Sequence, residues 1–435
     1  MHGNPELAVT GLVADSRLAQ PGSLFVCLPG SRLDGHDFID DAARRGAAAI
    51  LCSPGRAPRA GPAALESADP LTTLAEVGRL VRARSRARVI GVAGSAGKTT
   101  VKDVLHALLA PHLPTVASRA SHNNELGVPL TLALLEPETD ACVCELGTGA
   151  PGELAALCAT AQPEVGVVTA IGPEHLEFFD SVEGVAAEEA ALLAALPPGA
   201  PAVLPLGEPL LEPYRRSDLD EWRFGLDRRA DVHPLAWRPH PTGAELALAV
   251  RGHRVELATN LSLPHHRLSL AAAAAAYAAL GLPLDRIDEG AEAIALSPWR
   301  GEEHRLRRGA LLINDAYNAN PLSLRAALEA LAARRNGGRA IAVLGSMTEL
   351  GRETARWHAL AGRQAGELGV DLLVAVGPGA RGYLDGATGR TDCLWFPDLD
   401  SATDPLRSLL RKDDVVLLKG SRVAGLERLA EALTR

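Results

Sequence analysis

Apolar residues recur along this chain at two spacings. Continuous apolar runs at 24–28, 47–52, 89–93, 141–145, 164–171, 311–314, 340–344, 372–376 and 415–418 predict buried strands. Between them, apolar positions three and four apart predict helices. The clearest set is Val101, Val104, Leu105, Leu108 and Leu109. Further helices are predicted at 37–46, 71–84, 129–135, 182–195, 267–280 and 284–295, with a last one after residue 422. Residues 202–260 read as short strands with polar turns. Strands alternating with helices predict an α/β protein with mostly parallel sheets. The 435 residues exceed one ordinary domain. Three units are expected: a small α/β unit at 1–85, a central domain at 86–298 and a second parallel α/β domain at 299–435.

The central unit opens on Val89-Ile90-Gly91-Val92-Ala93-Gly94-Ser95-Ala96-Gly97-Lys98-Thr99-Thr100. A buried strand runs into a glycine-rich turn and then into a helix start. That arrangement cradles phosphate, because glycines let backbone N–H groups approach its oxygens and the helix N-terminus adds partial positive charge. Lys98 can reach outer phosphates and the Thr99 hydroxyl can ligate Mg²⁺. The strict P-loop pattern has glycine where this chain has Val92, so the match is the shorter Gly-x-x-Gly-Lys-Thr from Gly94 to Thr99.

Other polar groups fall at strand ends. Glu145 closes the run 141–145, either as a Mg²⁺ ligand or as a solvated strand terminus. His175 follows the run 164–171 and is as readily structural as catalytic. Glu188 and Glu189 lie on the helix 182–195, where such a pair is usually a solvated face. Asn123 and Asn124 suit a turn. Asp315-Ala316-Tyr317-Asn318-Ala319-Asn320-Pro321 reads as a functional loop between a strand and a helix. Gly345-Ser346-Met347-Thr348-Glu349-Leu350-Gly351 follows another strand.

Composition narrows the field. Aromatic residues are only 3%, so the cores must be built from Leu, Val and Ala. A net charge of −9 argues against broad nucleic-acid or membrane-surface binding. No signal segment or membrane-length apolar run is visible, which predicts a soluble cytoplasmic protein. Six scattered cysteines without a Cys-x-x-Cys predict buried, reduced thiols. A P-loop without hydrolase, metalloprotease or kinase signatures fits an ATP-using enzyme that works by charge neutralisation and positioning.

The chain resembles the Mur ligase family over nearly its full length. The resemblance is carried by Asp15-Ser16-Arg17, Pro21-Gly22, Asp34-Gly35-His36-Asp37, Gly94–Thr100, Asn123-Asn124 with Gly127-Val128-Pro129, Glu145-Leu146-Gly147, His175-Leu176-Glu177, the 315–321 loop and Lys419-Gly420-Ser421. The Tyr317–Pro321 loop and the Asn123–Pro129 segment favour the family type that adds D-alanyl-D-alanine; the Asp-Asn-Pro-Arg of a sibling is absent. The resemblance implies an N-terminal domain holding the UDP end, a central ATPase and a C-terminal Rossmann-like domain closing over ATP. It implies a monomer that phosphorylates the carboxylate of UDP-N-acetylmuramoyl-tripeptide and passes the acyl group to D-Ala-D-Ala. Lys98, Glu145 and His175 would be catalytic. Gly94, Ser95, Ala96, Gly97, Lys98, Thr99, Thr100, Arg300, Asn318 and Asn320 would hold ATP. Thr99, Glu145, His175 and Glu189 would hold Mg²⁺. Ser16, Arg17, Asp34, His36, Asn123, Asn124, Tyr317, Lys419 and Ser421 would bind substrate.

Three departures from the family pattern stand out. Glu189 (with Glu188 beside it) occupies the place of a lysine that the family carbamylates with CO₂. His265-His266…Ser269 replaces His-Asn…Asn near the adenine, and Trp299-Arg300-Gly301 replaces Gly-Arg-Gly at the hinge. These keep open a related amide ligase of specialised metabolism with a different carboxylate and amine. A non-catalytic nucleotide switch is the other alternative.

Overall fold

The computed structural model describes residues 4, 6–30, 33–387, 389 and 391–434. The apolar runs form three sheets, one for each expected unit. The first is all parallel, in the order β1 (Gly11–Val13), β2 (Ser23–Val26), β3 (Ala49–Cys52) and β4 (Ala63–Glu66). The helix predicted at 37–46 is shorter. Asp34 accepts from the backbone and ring of His36, winding Gly35–Phe38 into a 3₁₀ turn before the helix Ile39–Arg44 begins.

The helix Pro70–Arg84 joins the first unit to the second. Asp69 caps it by accepting from Leu71 and Thr72, and proline occupies its first position. Leu74 packs under the first sheet, while Gly78 lies against Pro129 of the central unit.

The central sheet has nine strands: β5 (Arg88–Ala93), β6 (Thr115–Ala117), β7 (Ala141–Glu145), β8 (Val165–Val168), β9 (Pro201–Pro205), β10 (Asp220–Phe224), β11 (Val232–His240), β12 (Gly243–Val250) and β13 (His253–Thr259). Its order is β13-β12-β11-β10-β9-β8-β5-β7-β6. The P-loop strand β5 lies between β7 and β8, the strands leading to Glu145 and His175. The β11–β13 meander is antiparallel and longer than the short strands expected at 202–260. Alternate residues Val255, Leu257 and Thr259 of β13 turn inward.

The helix His266–Ala279 covers this sheet. Its run Ala271–Ala276 is fully buried, because methyl side chains let the helix lie close to strands and neighbouring helices. That close packing fills a largely aliphatic core in which Trp222, Phe224 and Tyr277 are the buried aromatics. Two other helices differ from expectation: 182–195 is interrupted at Ala190 into Val182–Glu189 and Ala191–Ala195, and 284–295 is 3₁₀ at Leu284–Ala293.

The third sheet runs β14-β15-β19-β16-β17-β18, from β14 (Glu302–Arg305), β15 (Leu311–Asn314), β16 (Ala340–Gly345), β17 (Leu372–Val376), β18 (Asp392–Phe396) and β19 (Val415–Lys419). All its pairs are parallel except β14–β15. An apolar seam joins this unit to the centre, with Leu176, Phe179, Val185 and Leu263 packing among Leu324, Met347 and Leu350. Five cysteines are buried as expected, but Cys393 is exposed because it lies on the edge strand β18. Among the described residues no helix is long and apolar enough to cross a membrane.

Candidate active site

The turn after β5 takes its shape from two glycines. Gly94 has φ +120°, and a Cβ there would fall 2.4 Å from the Thr169 hydroxyl; Gly97, at φ +87°, is the N-cap of the helix Lys98–Leu109. Val92 is buried inside β5 and takes no part in the turn, so the shorter glycine pattern suffices. Thr169 closes the underside by donating to the Ala96 carbonyl at 2.6 Å.

Lys98 donates to the Gly94 carbonyl and lies 3.8 Å from Glu174 and 3.9 Å from Glu189. Burial opposes its charge, but Glu174, Glu189 and Glu145 outweigh that cost and raise its pKa, so it stays an ammonium. Thr99 donates to Glu145 at 3.1 Å, and Asn123 donates to the same carboxylate oxygen at 2.9 Å. The other oxygen of Glu145 is buried without a partner. Arg300 reaches across from the hinge, donates to the Thr99 hydroxyl at 2.9 Å and stacks 4.0 Å over the Tyr317 ring.

The C-terminal unit supplies the facing wall. Asn320 caps the helix Pro321–Arg334 and donates to the Ser95 carbonyl at 2.9 Å, so this loop touches the phosphate turn directly. Lys419, at the end of β19, donates to Asp315 at 2.6 Å and to the Asn318 carbonyl at 3.0 Å. Apart from Gly94 and Glu189, these groups line a cavity of about 490 Å³ that also includes His175, Asn124 and Asn318. Phe224, Leu268 and Ala272 give part of the wall an apolar surface beside His265 and Ser269. Burial depresses the pKa of His265, which keeps that ring neutral.

Three models of one family match in succession: the Mur ligase family, catalytic domain, at residues 8–102; the Mur ligase middle domain at 92–278; and the Mur ligase, glutamate ligase domain, at 299–422. Over 434 residues the chain is 32% identical to the UDP-N-acetylmuramoyl-tripeptide–D-alanyl-D-alanine ligase of Escherichia coli (strain K12), covering 98% of this chain and 94% of that protein. The chain belongs to the Mur ligase family. The ligase of the same name from Mycobacterium tuberculosis (strain H37Rv) is 35% identical over 481 residues, covering 98% of this chain and 92% of its own. Among solved structures, MurF from Acinetobacter baumannii superposes with a TM-score of 0.87 at 29% identity, covering 99% of this chain and 95% of that one. MurF from Thermotoga maritima in complex with ADP gives 0.83 at 27%, covering 99% and 98%. The three sheets are the Mur ligase three-domain layout.

Not every residue expected at the site reaches it. Glu189 is wholly buried beneath the turn, where it accepts from the Gly94 N–H at 2.6 Å and does not line the cavity. Glu188 faces elsewhere and accepts from the Gly152 and Leu154 amides at 2.8 and 2.7 Å, holding the start of the helix Glu153–Ala161. Ser421 accepts from the Thr348 N–H and stays behind the wall. Ser16, Arg17, Asp34 and His36 belong to the first sheet's unit and are not part of this cavity. Ser16 donates to Asp41, Arg17 is held by Asp15, and the His36 ring accepts from Ser53.

Glu174 is the site residue that sequence reasoning passed over. Its position one residue before His175, in a strand-end turn, was the available signal. Burial, only partly offset by Lys98 and reinforced by Glu189, pushes its pKa from 4.5 up to about 8. The folded protein therefore holds this proton more tightly than the unfolded chain. The stabilisation is complete below about pH 4.5 and is lost as pH rises through about 8. Without ligands, melting by calorimetry should show stability falling between about pH 4.5 and 8, by at most ~1.4 kcal/mol per pH unit for this group, and levelling off above. Glu174→Gln should flatten that slope; an unchanged slope would remove Glu174 as its cause.

Proposed function

We propose that this protein is a monomeric cytoplasmic ligase. It uses ATP to join D-alanyl-D-alanine to the terminal carboxylate of UDP-N-acetylmuramoyl-tripeptide, a step of peptidoglycan precursor synthesis. What carries the reading is one cavity holding both the phosphate turn and the 315–320 loop, in a chain whose whole length matches ligases of that name.

A carboxylate does not react with an amine until one oxygen becomes a good leaving group. A substrate carboxylate oxygen attacks the γ-phosphorus of ATP and ADP leaves. The amine of D-Ala-D-Ala then attacks the acyl carbon, passes through a tetrahedral intermediate and expels phosphate carrying that oxygen. Two anions must meet in the first step, and Lys98 and the turn's amides neutralise them. Lys419, fixed by Asp315, and Arg300 add cations at the same wall. Asn318 and Asn320 bring the closing domain to the nucleotide, with Asn123, Asn124 and Tyr317 beside the acceptor.

Thr99 and Glu145 fit a Mg²⁺ ion: a hydroxyl and a buried carboxylate oxygen with no other partner stand together next to the phosphate turn. His175 would serve a second ion. Bound there, Mg²⁺ screens phosphate charge. Glu189 contributes its negative charge from below the turn. The UDP end falls to the first domain, where Arg17 presents a side chain 80% exposed, with Ser16, Asp34 and His36 shaping that surface.

Phosphate release from ATP and Mg²⁺ should require the UDP-tripeptide and rise further with D-Ala-D-Ala. Hydrolysis indifferent to both would overturn the assignment.

A further inference from the structure

We propose that Glu349 is a positioning residue for His175: it reaches from the C-terminal domain and holds the imidazole with its proton on Nδ1, leaving the Nε2 lone pair free. His175 lines the cavity, and its Nδ1 lies 2.6 Å from Glu349 Oε2, a close charge contact whose angle is too bent for a hydrogen bond, with no other hydrogen-bond partner on that nitrogen. At that separation an unprotonated ring nitrogen would set its lone pair against a carboxylate oxygen, which is repulsive; a proton on Nδ1 turns the contact into attraction. Neutral imidazole then has only Nε2 left as acceptor or ligand, and this atom lies 3.9 Å from Glu174.

Both residues sit on backbone that only tight surroundings sustain. His175 has φ +49° and Glu349 has φ +63°, left-handed values that side chains other than glycine rarely adopt. The Glu349 loop is pinned on every side. The Met347 N–H donates to His358 at 3.0 Å, and the Thr348 N–H donates to Ser421 at 2.9 Å. The Glu349 carbonyl accepts from the Glu177 N–H at 3.1 Å, and Met347 and Leu350 are buried in the apolar seam with Leu176 and Phe179.

Glu349 belongs to the loop after β16 and His175 to the turn after β8, so the pair exists only when the two domains are docked as here. Ring orientation and domain closure are therefore linked, and each favours the other. A carboxylate behind a ligating histidine fixes its tautomer and strengthens the opposite nitrogen. The consequence for Mg²⁺ rests on the proposed function; the hold on the ring does not.

The test uses the full-length protein labelled with ¹⁵N-histidine, without ligands, at a pH where the ring is neutral. Two-bond ¹H–¹⁵N spectra identify His175 by its loss in His175→Gln. The wild type should show the Nδ1–H form. Glu349→Ala should shift His175 toward Nε2–H, and Glu349→Gln, whose amide oxygen still accepts, should restore Nδ1–H. In turnover, the Mg²⁺ concentration for half-maximal rate should rise about 10-fold in Glu349→Ala and far less in Glu349→Gln. A His175 signature unchanged in Glu349→Ala overturns the proposal. A tautomer shift without any change in Mg²⁺ dependence upholds the positioning and overturns the metal role of His175.

Discussion

Replacing Lys98 with alanine is expected to lower kcat by about 10³-fold, the order found when a preorganised charge-stabilising donor is lost. Lys98 is the cation at the centre of the phosphate turn, and Glu174 and Glu189, each within 4 Å, keep it charged. Without it, nothing in the turn but backbone dipoles meets the charge that develops as carboxylate and γ-phosphate approach. The fold should survive. Both carboxyls already hold protons more tightly than free glutamates, and burial is the main cause. Losing the ammonium raises both pKa values further, which favours protonated carboxyls over unpaired charges. Phosphate release alongside a thermal melt checks this. Full turnover in the variant would remove Lys98 from the mechanism.

Glu189→Lys is expected to be nearly inactive under CO₂-free conditions. The Glu189 carboxylate lies 3.9 Å from the Lys98 ammonium and accepts from the Gly94 amide at 2.6 Å. A second ammonium there would be repelled by ~4 kcal/mol at ~4 Å and an effective dielectric of ~20, and either form of the lysine leaves Lys98 without this anion. The ammonium also offers Gly94 a donor where an acceptor is needed. The same repulsion and burial favour the neutral amine of the new lysine. A neutral amine adds CO₂ and releases one proton, becoming a carbamate. Bicarbonate should therefore restore much of the activity by returning an anion to this place. A folded variant that ignores bicarbonate would show that the position does not tolerate the longer anion. Wild-type activity without bicarbonate would show that no anion is needed there.

The phosphate turn was legible because its elements are local: apolar strand, two glycines, Lys-Thr and a helical apolar face follow one another within β5 and the next helix. Neighbouring strand ends placed Glu145 and His175 correctly at the same cavity, since β5 pairs with both β7 and β8. The Glu188–Glu189 pair was not legible. Adjacent helical residues point about 100° apart, and one caps the helix Glu153–Ala161 while the other supports Gly94. Glu349 was visible only as part of a polar loop, because its partner lies in another domain and nothing in local spacing links them. The break at Ala190 likewise has no glycine or proline to announce it.

The central claim is the identity of the bond formed, and the direct measurement is the mass of the product. Purified protein incubated with ATP, Mg²⁺, UDP-N-acetylmuramoyl-tripeptide and D-Ala-D-Ala should yield the UDP-linked pentapeptide. With the tripeptide carboxylate labelled in ¹⁸O, one labelled oxygen should appear in the released phosphate. Unchanged tripeptide in the presence of folded, ATP-binding protein would contradict the account.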